Sequence, residues 1–175
     1  MSHETSLSGR CYAMTYIQQQ MNTTERIIRA FQPDDQDAAR ALIEEGLAEH
    51  FEHFDPGFNP DLADIWAQYI VRGHAFFVAA RANTLIGTGG LVVRRAEGTG
   101  EIVRVSVSRA ARGQGLGRAL VERLLAEACA RGLREALVET NLDWTQARRL
   151  YEHCGFVPYA TDETSVYYRL SLASV

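Results

Sequence analysis

The chain contains no lysine; all 18 of its basic side chains are arginine. That absence removes one class of nucleotide site, because a triphosphate loop of the form G-x-x-x-x-G-K-[ST] needs a lysine to reach the phosphates. Cysteine is scarce. Cys11, Cys129 and Cys154 are scattered and odd in number, a pattern that gives neither a disulfide framework nor zinc-ligand spacing and fits a reducing cytoplasm. No apolar run approaches the ~20 residues of a membrane span, and the N-terminus lacks the basic start and apolar core of a signal peptide. An excess of positive charge is missing too. The net charge of −4 argues against nucleic acid or an anionic membrane as a bulk partner, although the arginines between Arg94 and Arg123 can still make a local positive site. What is present, 175 residues with 46% hydrophobic composition, suffices for one domain with a real core.

The most informative stretch is Arg112-Gly113-Gln114-Gly115-Leu116-Gly117. Three glycines leave a valine-rich run and lead into an alanine- and leucine-rich helix, the layout of a phosphate cradle. Glycine lets the backbone approach a ligand closely, and the first turn of a helix offers unpaired N–H groups at the positive end of its dipole. Arg112 and Arg118 flank the loop and suit a pyrophosphate. The dinucleotide fingerprint G-x-G-x-x-G/A does not fit: the sixth place is Arg118 counting from Gly113 and Leu120 counting from Gly115. Without further support, the stretch could also be a plain strand-to-helix connection.

Read in order, residues 1–25 are polar and aperiodic, an expected flexible tail in which Met21 could be the native start. Residues 26–31 form a first strand. Pro33-Asp34-Asp35 starts a helix whose stripe of Ala38, Ala41, Leu42 and Ile43 ends at Gly46. The segment 47–60 is the least predictable, a packed connection or an aromatic acceptor-site loop. Its His50 and His53 lack a third ligand, so no metal site is expected. Residues 61–72 read as a helix with Leu62, Ile65, Trp66, Tyr69 and Ile70 buried. Residues 76–81, 85–93 and 101–107 form a three-stranded antiparallel meander. A helix over 116–131 turns Leu116, Leu120, Leu124 and Ala128 inward, and after it come a strand at 136–140, a helix at 144–153 and closing strands at 156–157 and 166–172. The expected fold is a single α/β domain over 26–175, with a mixed, mostly antiparallel sheet of six or seven strands flanked by about four helices.

Arg112, Gly115 and Gly117 fit the Arg/Gln-x-x-Gly-x-Gly/Ala signature for acyl-coenzyme A. The run from Glu101 to Val107 is similar to the strand that precedes that loop, and Ala147-Arg148-Arg149-Leu150-Tyr151-Glu152-His153-Cys154-Gly155-Phe156 matches an A-x-x-L-Y-x-x-x-G-F ending. Together these motifs resemble the GNAT superfamily of N-acetyltransferases, most closely over residues 101–156. One residue departs from the pattern: Trp144 stands where many members carry asparagine.

The resemblance implies acetyl-coenzyme A as co-substrate and direct transfer of its acetyl group to a primary amine in a ternary complex. It assigns cofactor contacts to Val105, Ser106, Val107, Arg112, Gly113, Gln114, Gly115, Leu116, Gly117, Arg118, Ala147 and Tyr151, with backbone N–H groups near Val107 serving the oxyanion and pantetheine where that strand splays from its neighbour. Glu101 falls at a position that serves some members as general base, and is otherwise a solvated carboxylate at a strand entrance. Tyr151 matches the general acid, and is otherwise a packed tyrosine. Cys154 has no histidine arranged to activate it and is not expected to be a nucleophile. The acceptor is expected to be a small amine or amino acid, with a protein N-terminus or lysine as the alternative, or no turnover at all in an acyl-coenzyme A sensor. A homodimer is compatible with this reading, and no nucleic acid, membrane or metal partner is expected.

Overall fold

The computed structural model describes residues 26–50 and 55–172; residues 1–25, with Cys11 and Met21, and residues 51–54, with His53, lie outside the described residues. The described chain forms one seven-stranded sheet. Its strands are β1 (Arg26–Ala30), β2 (Ala75–Arg81), β3 (Thr84–Arg94), β4 (Thr99–Val107), β5 (Glu135–Asn141), β6 (Val157–Thr161) and β7 (Ser165–Ser171), in the order β1-β2-β3-β4-β5-β7-β6. Only β4 and β5 run parallel. A parallel pair needs a crossover, and here it is α2 (Leu116–Ala130). The other two α-helices are α1 (Gln36–Ala48) and α3 (Thr145–His153).

Period-2 alternation decides which helix covers which face. In β2, Phe76 and Val78 join Ala39 and Ile43 of α1 in one buried cluster. Ala75 and Phe77 point the other way, into the cluster that contains Val121, Leu124 and Ala128 of α2 and Tyr151 of α3. Glycines set how closely the helices approach. A β-carbon on Gly89 would stand 2.9 Å from Leu124 Cδ1, and one on Gly90, facing the other way, would lie 3.0 Å from Tyr69 Cε1, 3.1 Å from Val103 and 3.2 Å from Phe76. Gly90→Ala therefore overpacks a site walled by two rings, and should cost about 1–3 kcal/mol, read as a lower urea midpoint with an unchanged slope.

Two sequence expectations fail here. Gly46 does not stop α1, which runs through it to Ala48; a β-carbon at Gly46 would meet Ser106 Oγ at 2.7 Å, so the glycine serves the approach of α1 to β4. Residues 61–72 are not one α-helix. A 3-10 turn, Pro60–Ala63, gives way to a π-helical segment, Trp66–Val71, which leaves Leu62, Ile65 and Tyr69 buried and Trp66 exposed. The wider π spacing releases Trp66 from the stripe that a period of 3.6 would impose. With this segment the α- and π-helices among the described residues number four, as expected, and they lie on both faces of the sheet.

Candidate active site

β4 and β5 pair only over Thr99–Ile102 and Glu135–Val138. Beyond Ile102 the two strands part, so the β4 backbone loses its partner on that side while its pairing to β3 continues to Gly87 and Val107. Separation thus starts at Val103, earlier than the Val107 neighbourhood expected from the sequence. A bulge lies at its root: Gly90 pairs with Val103 and Thr88 with Ser106, leaving Arg104 and Val105 opposite Gly89.

Arg104 adopts φ +55, a left-handed conformation unusual for arginine. Three neighbours hold it there. Its carbonyl accepts from Thr88 Oγ1 at 2.9 Å, its Nε and Nη2 donate to the two oxygens of Asp61 at 2.9 and 2.6 Å, and its Nη1 donates to Asn59 Oδ1 at 2.8 Å. Tyr69 donates its hydroxyl to the same Asp61 at 2.8 Å. Burial, followed by the Asp61 charge, pushes the Tyr69 phenol well above its ordinary value, so it stays a donor.

At the far end of β4 the glycine loop turns into α2. Gly113 and Gly115 have φ +71 and +76, and a β-carbon at either would meet nothing within 4 Å. Open space at two left-handed glycines ahead of a 15-residue helix is the shape of an anion cradle. Gly117 differs: its β-carbon would sit 3.3 Å from Leu150 Cδ2, so it lets α3 close onto the start of α2.

A single cleft of about 1000 Å³ joins the cradle to the gap between β4 and β5. Val105, Ser106, Val107, Arg112, Gly113, Gly115, Leu116, Gly117, Arg118, Ala147, Glu101 and Tyr151 all line it. Gln114 does not. Its side chain accepts from Arg81 Nη2 and donates to the Ala110 carbonyl, both at 2.9 Å, while its own carbonyl accepts from Arg26 at 2.7 Å, so it ties the loop to the β1 and β2 edge.

A family model described as the acetyltransferase (GNAT) family matches residues 40–156. The chain belongs to this family. It is 35% identical over 140 residues to an IAA acetyltransferase from Azospirillum brasilense, covering 75% of this chain and 89% of that one. It is also 34% identical over 142 residues to a mycothiol acetyltransferase from Streptomyces avermitilis, covering 81% of this chain but only 45% of the relative; the chain spans less than half the length of that protein. Among solved structures, the paia N-acetyltransferase from Thermoplasma acidophilum in complex with coenzyme A superposes with a TM-score of 0.73 at 16% identity, covering 85% of this chain and 99% of that one. The protein is a GNAT acetyltransferase that uses acetyl-coenzyme A as co-substrate.

Within this GNAT cleft, Glu101 carries an ion pair to Arg94 at 2.7 Å. Tyr151 is buried, its ring edge-on to Phe156 at 5.8 Å; burial, with Cys154 adding to it, raises the phenol well above its ordinary value. Burial also raises the Cys154 thiol, so the reactive thiolate is suppressed. Trp144, at the position that departs from the family pattern, stacks on His50 with ring centroids 4.3 Å apart and 29° between planes. Among the described residues no group of three or more His, Cys, Asp or Glu side chains is placed to hold a metal, and no helix is long and apolar enough to cross a membrane.

Sequence reading missed Glu49, Asp61, Tyr69 and Arg104, all of which line the cleft. The Glu49 and Arg104 side chains find their partners 43 to 63 positions away along the chain, Tyr69 meets Asp61 eight positions away only through the π-helical turn, and the one local signal, an arginine interrupting the valine run of β4, reads equally well as an exposed strand position.

Proposed function

We propose that this enzyme acetylates the primary amine of a small molecule by direct transfer in a ternary complex. The observation that carries the reading is that Glu101, Tyr151 and the glycine cradle open into one cleft across the parting of β4 and β5. Acetyl-coenzyme A supplies the acetyl group as an activated thioester. Gly113, Gly115, Gly117, Leu116, Arg112 and Arg118 hold its phosphates, while Val105, Ser106 and Val107 offer backbone groups along the gap and Ala147 forms part of the opposite wall. Tyr151 gives its proton to the sulfur as the C–S bond breaks. Glu101 takes one proton from the ammonium through water, the neutral amine then attacks as the C–N bond forms, and the second proton that the nitrogen sheds restores the Tyr151 phenol. Beyond the cradle, Asp61 and Glu101 line the cleft already paired with Arg104 and Arg94, and Glu139 and Asp143 add carboxylates to the same lining, which favours a cationic acceptor.

The deciding experiment offers the purified protein acetyl-coenzyme A with a panel of amines, amino acids and peptides and follows release of free thiol. Turnover with a small amine supports the proposal. Release only with peptides moves the acceptor to a protein, and no release with any acceptor, despite cofactor binding, leaves a sensor. Glu101 has its own test. Glu101→Gln keeps the shape and can still accept from Arg94, so its kcat should fall near neutrality and recover as solvent deprotonates the amine toward about pH 10. A raised KM with kcat spared would instead make Glu101 an electrostatic anchor.

A further inference from the structure

The guanidiniums beside the cradle are already engaged. Arg112 donates its Nε to the Val107 carbonyl at 3.0 Å and both Nη groups to Glu49, at 2.7 Å to one carboxylate oxygen and 2.8 Å to the other. Arg109 adds a bond to Glu49 at 2.9 Å. Glu49 lies one residue beyond α1 and its side chain is only 15% exposed. Arg112 foremost, then Arg109, hold its carboxyl down to about 2, so the group is an anion at any pH where the enzyme would work. Two parallel N–H···O bonds from one guanidinium are also how arginine grips a phosphate edge. The carboxylate therefore occupies the fork of Arg112, the arginine that opens the cradle.

We propose that Glu49 is a built-in occupant of the pyrophosphate site, and that it must release Arg112 for acetyl-coenzyme A to bind. The proposal rests on the cradle reading given above. Leaving Glu49 in place would set its charge beside two phosphates, and the fork cannot serve both anions. The next residue carries the consequence across the cleft. His50 stacks on Trp144, the residue just ahead of α3, so consecutive side chains tie the end of α1 to the cofactor loop on one side and to the opposite wall on the other. Withdrawal of Glu49 draws His50 off Trp144, and occupancy of the cradle is thereby relayed to the β5 side of the cleft.

A Glu49 that merely orients Arg112 for the phosphates would give the opposite sign, and this makes the test sharp. Glu49→Gln keeps the size and one acceptor oxygen but removes the charge. Calorimetry should show it binding acetyl-coenzyme A, and inorganic pyrophosphate alone, roughly five- to tenfold more tightly than wild type, which is what a partly screened ion pair is worth. Equal or weaker affinity for both overturns the proposal. A second readout uses the two tryptophans, Trp66 and Trp144. In a Trp66→Phe background, acetyl-coenzyme A should change Trp144 emission, and Glu49→Gln without ligand should already show part of that change; emission that ignores both ligand and substitution counts against the relay. Gly115→Asn separates the two layers. If wild type binds and Gly115→Asn does not, while Glu49→Gln matches wild type, the cradle stands and Glu49 falls. If Gly115→Asn binds like wild type, the cradle reading falls and the Glu49 proposal falls with it.

Discussion

Replacing Tyr151 by phenylalanine should lower kcat about a hundredfold, the order of effect of losing a positioned acid, while leaving affinity for acetyl-coenzyme A near wild type. The ring is held by the core, edge-on to Phe156 and tilted against Tyr168 at 6.5 Å, and phenylalanine keeps those contacts, so only the hydroxyl is removed. Its environment suits a donor. Burial keeps the phenol protonated across the working range, and a neutral hydroxyl at the wall of the cleft costs less to bury than a charge. Such an acid gains by position: it protonates a departing thiolate of ordinary pKa near 8.5 only when the two are in contact. Pre-steady-state kinetics under conditions where chemistry limits the rate decide the matter, and an unchanged rate would remove Tyr151 from the mechanism.

Gly115→Asn should weaken acetyl-coenzyme A by at least about tenfold, a loss of about 1.4 kcal/mol, with melting shifted by only a few degrees. Asparagine is chosen because Gly115 has φ +76, a conformation that asparagine tolerates and valine does not. Among the described residues nothing lies within 4 Å of the added β-carbon, so the new side chain would occupy the space proposed for the phosphates. Gly117 would be a poorer probe. There a side chain would press on Leu150 at 3.3 Å, confusing a packing defect with a binding defect. Calorimetry and thermal unfolding on the same sample separate the two, and wild-type affinity would show that the phosphates lie elsewhere.

The sequence was most legible where a local pattern dictates the structure. The meander, α2 with its buried Leu116, Leu120, Leu124 and Ala128, and the glycine loop each follow from a short period or a backbone need confined to neighbouring residues. Legibility ended where tertiary contact overrides that rule. Gly46 reads as a helix stop, yet its missing side chain makes room for Ser106. The stripe over 61–72 reads as α-helical, yet the π-helical turn lets Tyr69 reach Asp61. Gln114 shares a motif with its neighbours but is spent on the sheet edge. Glu49 and Arg112 are 63 positions apart, and nothing in either neighbourhood marks them as a pair.

The short pairing of β4 with β5 has a mechanical consequence. On its other side each strand is tied along its length, β5 to β7 without a break and β4 to β3 with one bulge at Arg104 and Val105, so the sheet consists of two plates joined by a pin four residue pairs long. Glu101, opposite Leu137, sits in the pin itself, whereas Val105, Val107 and Trp144 ride on the free ends. Rocking of the plates would widen the gap beside Val105 and Val107, the slot proposed for the cofactor, and leave the carboxylate nearly still. Anything that bridges the free ends, the His50 stack or a bound ligand, adds the rungs that the backbone omits, so the empty protein should exchange its amides fastest along the open side of this hinge.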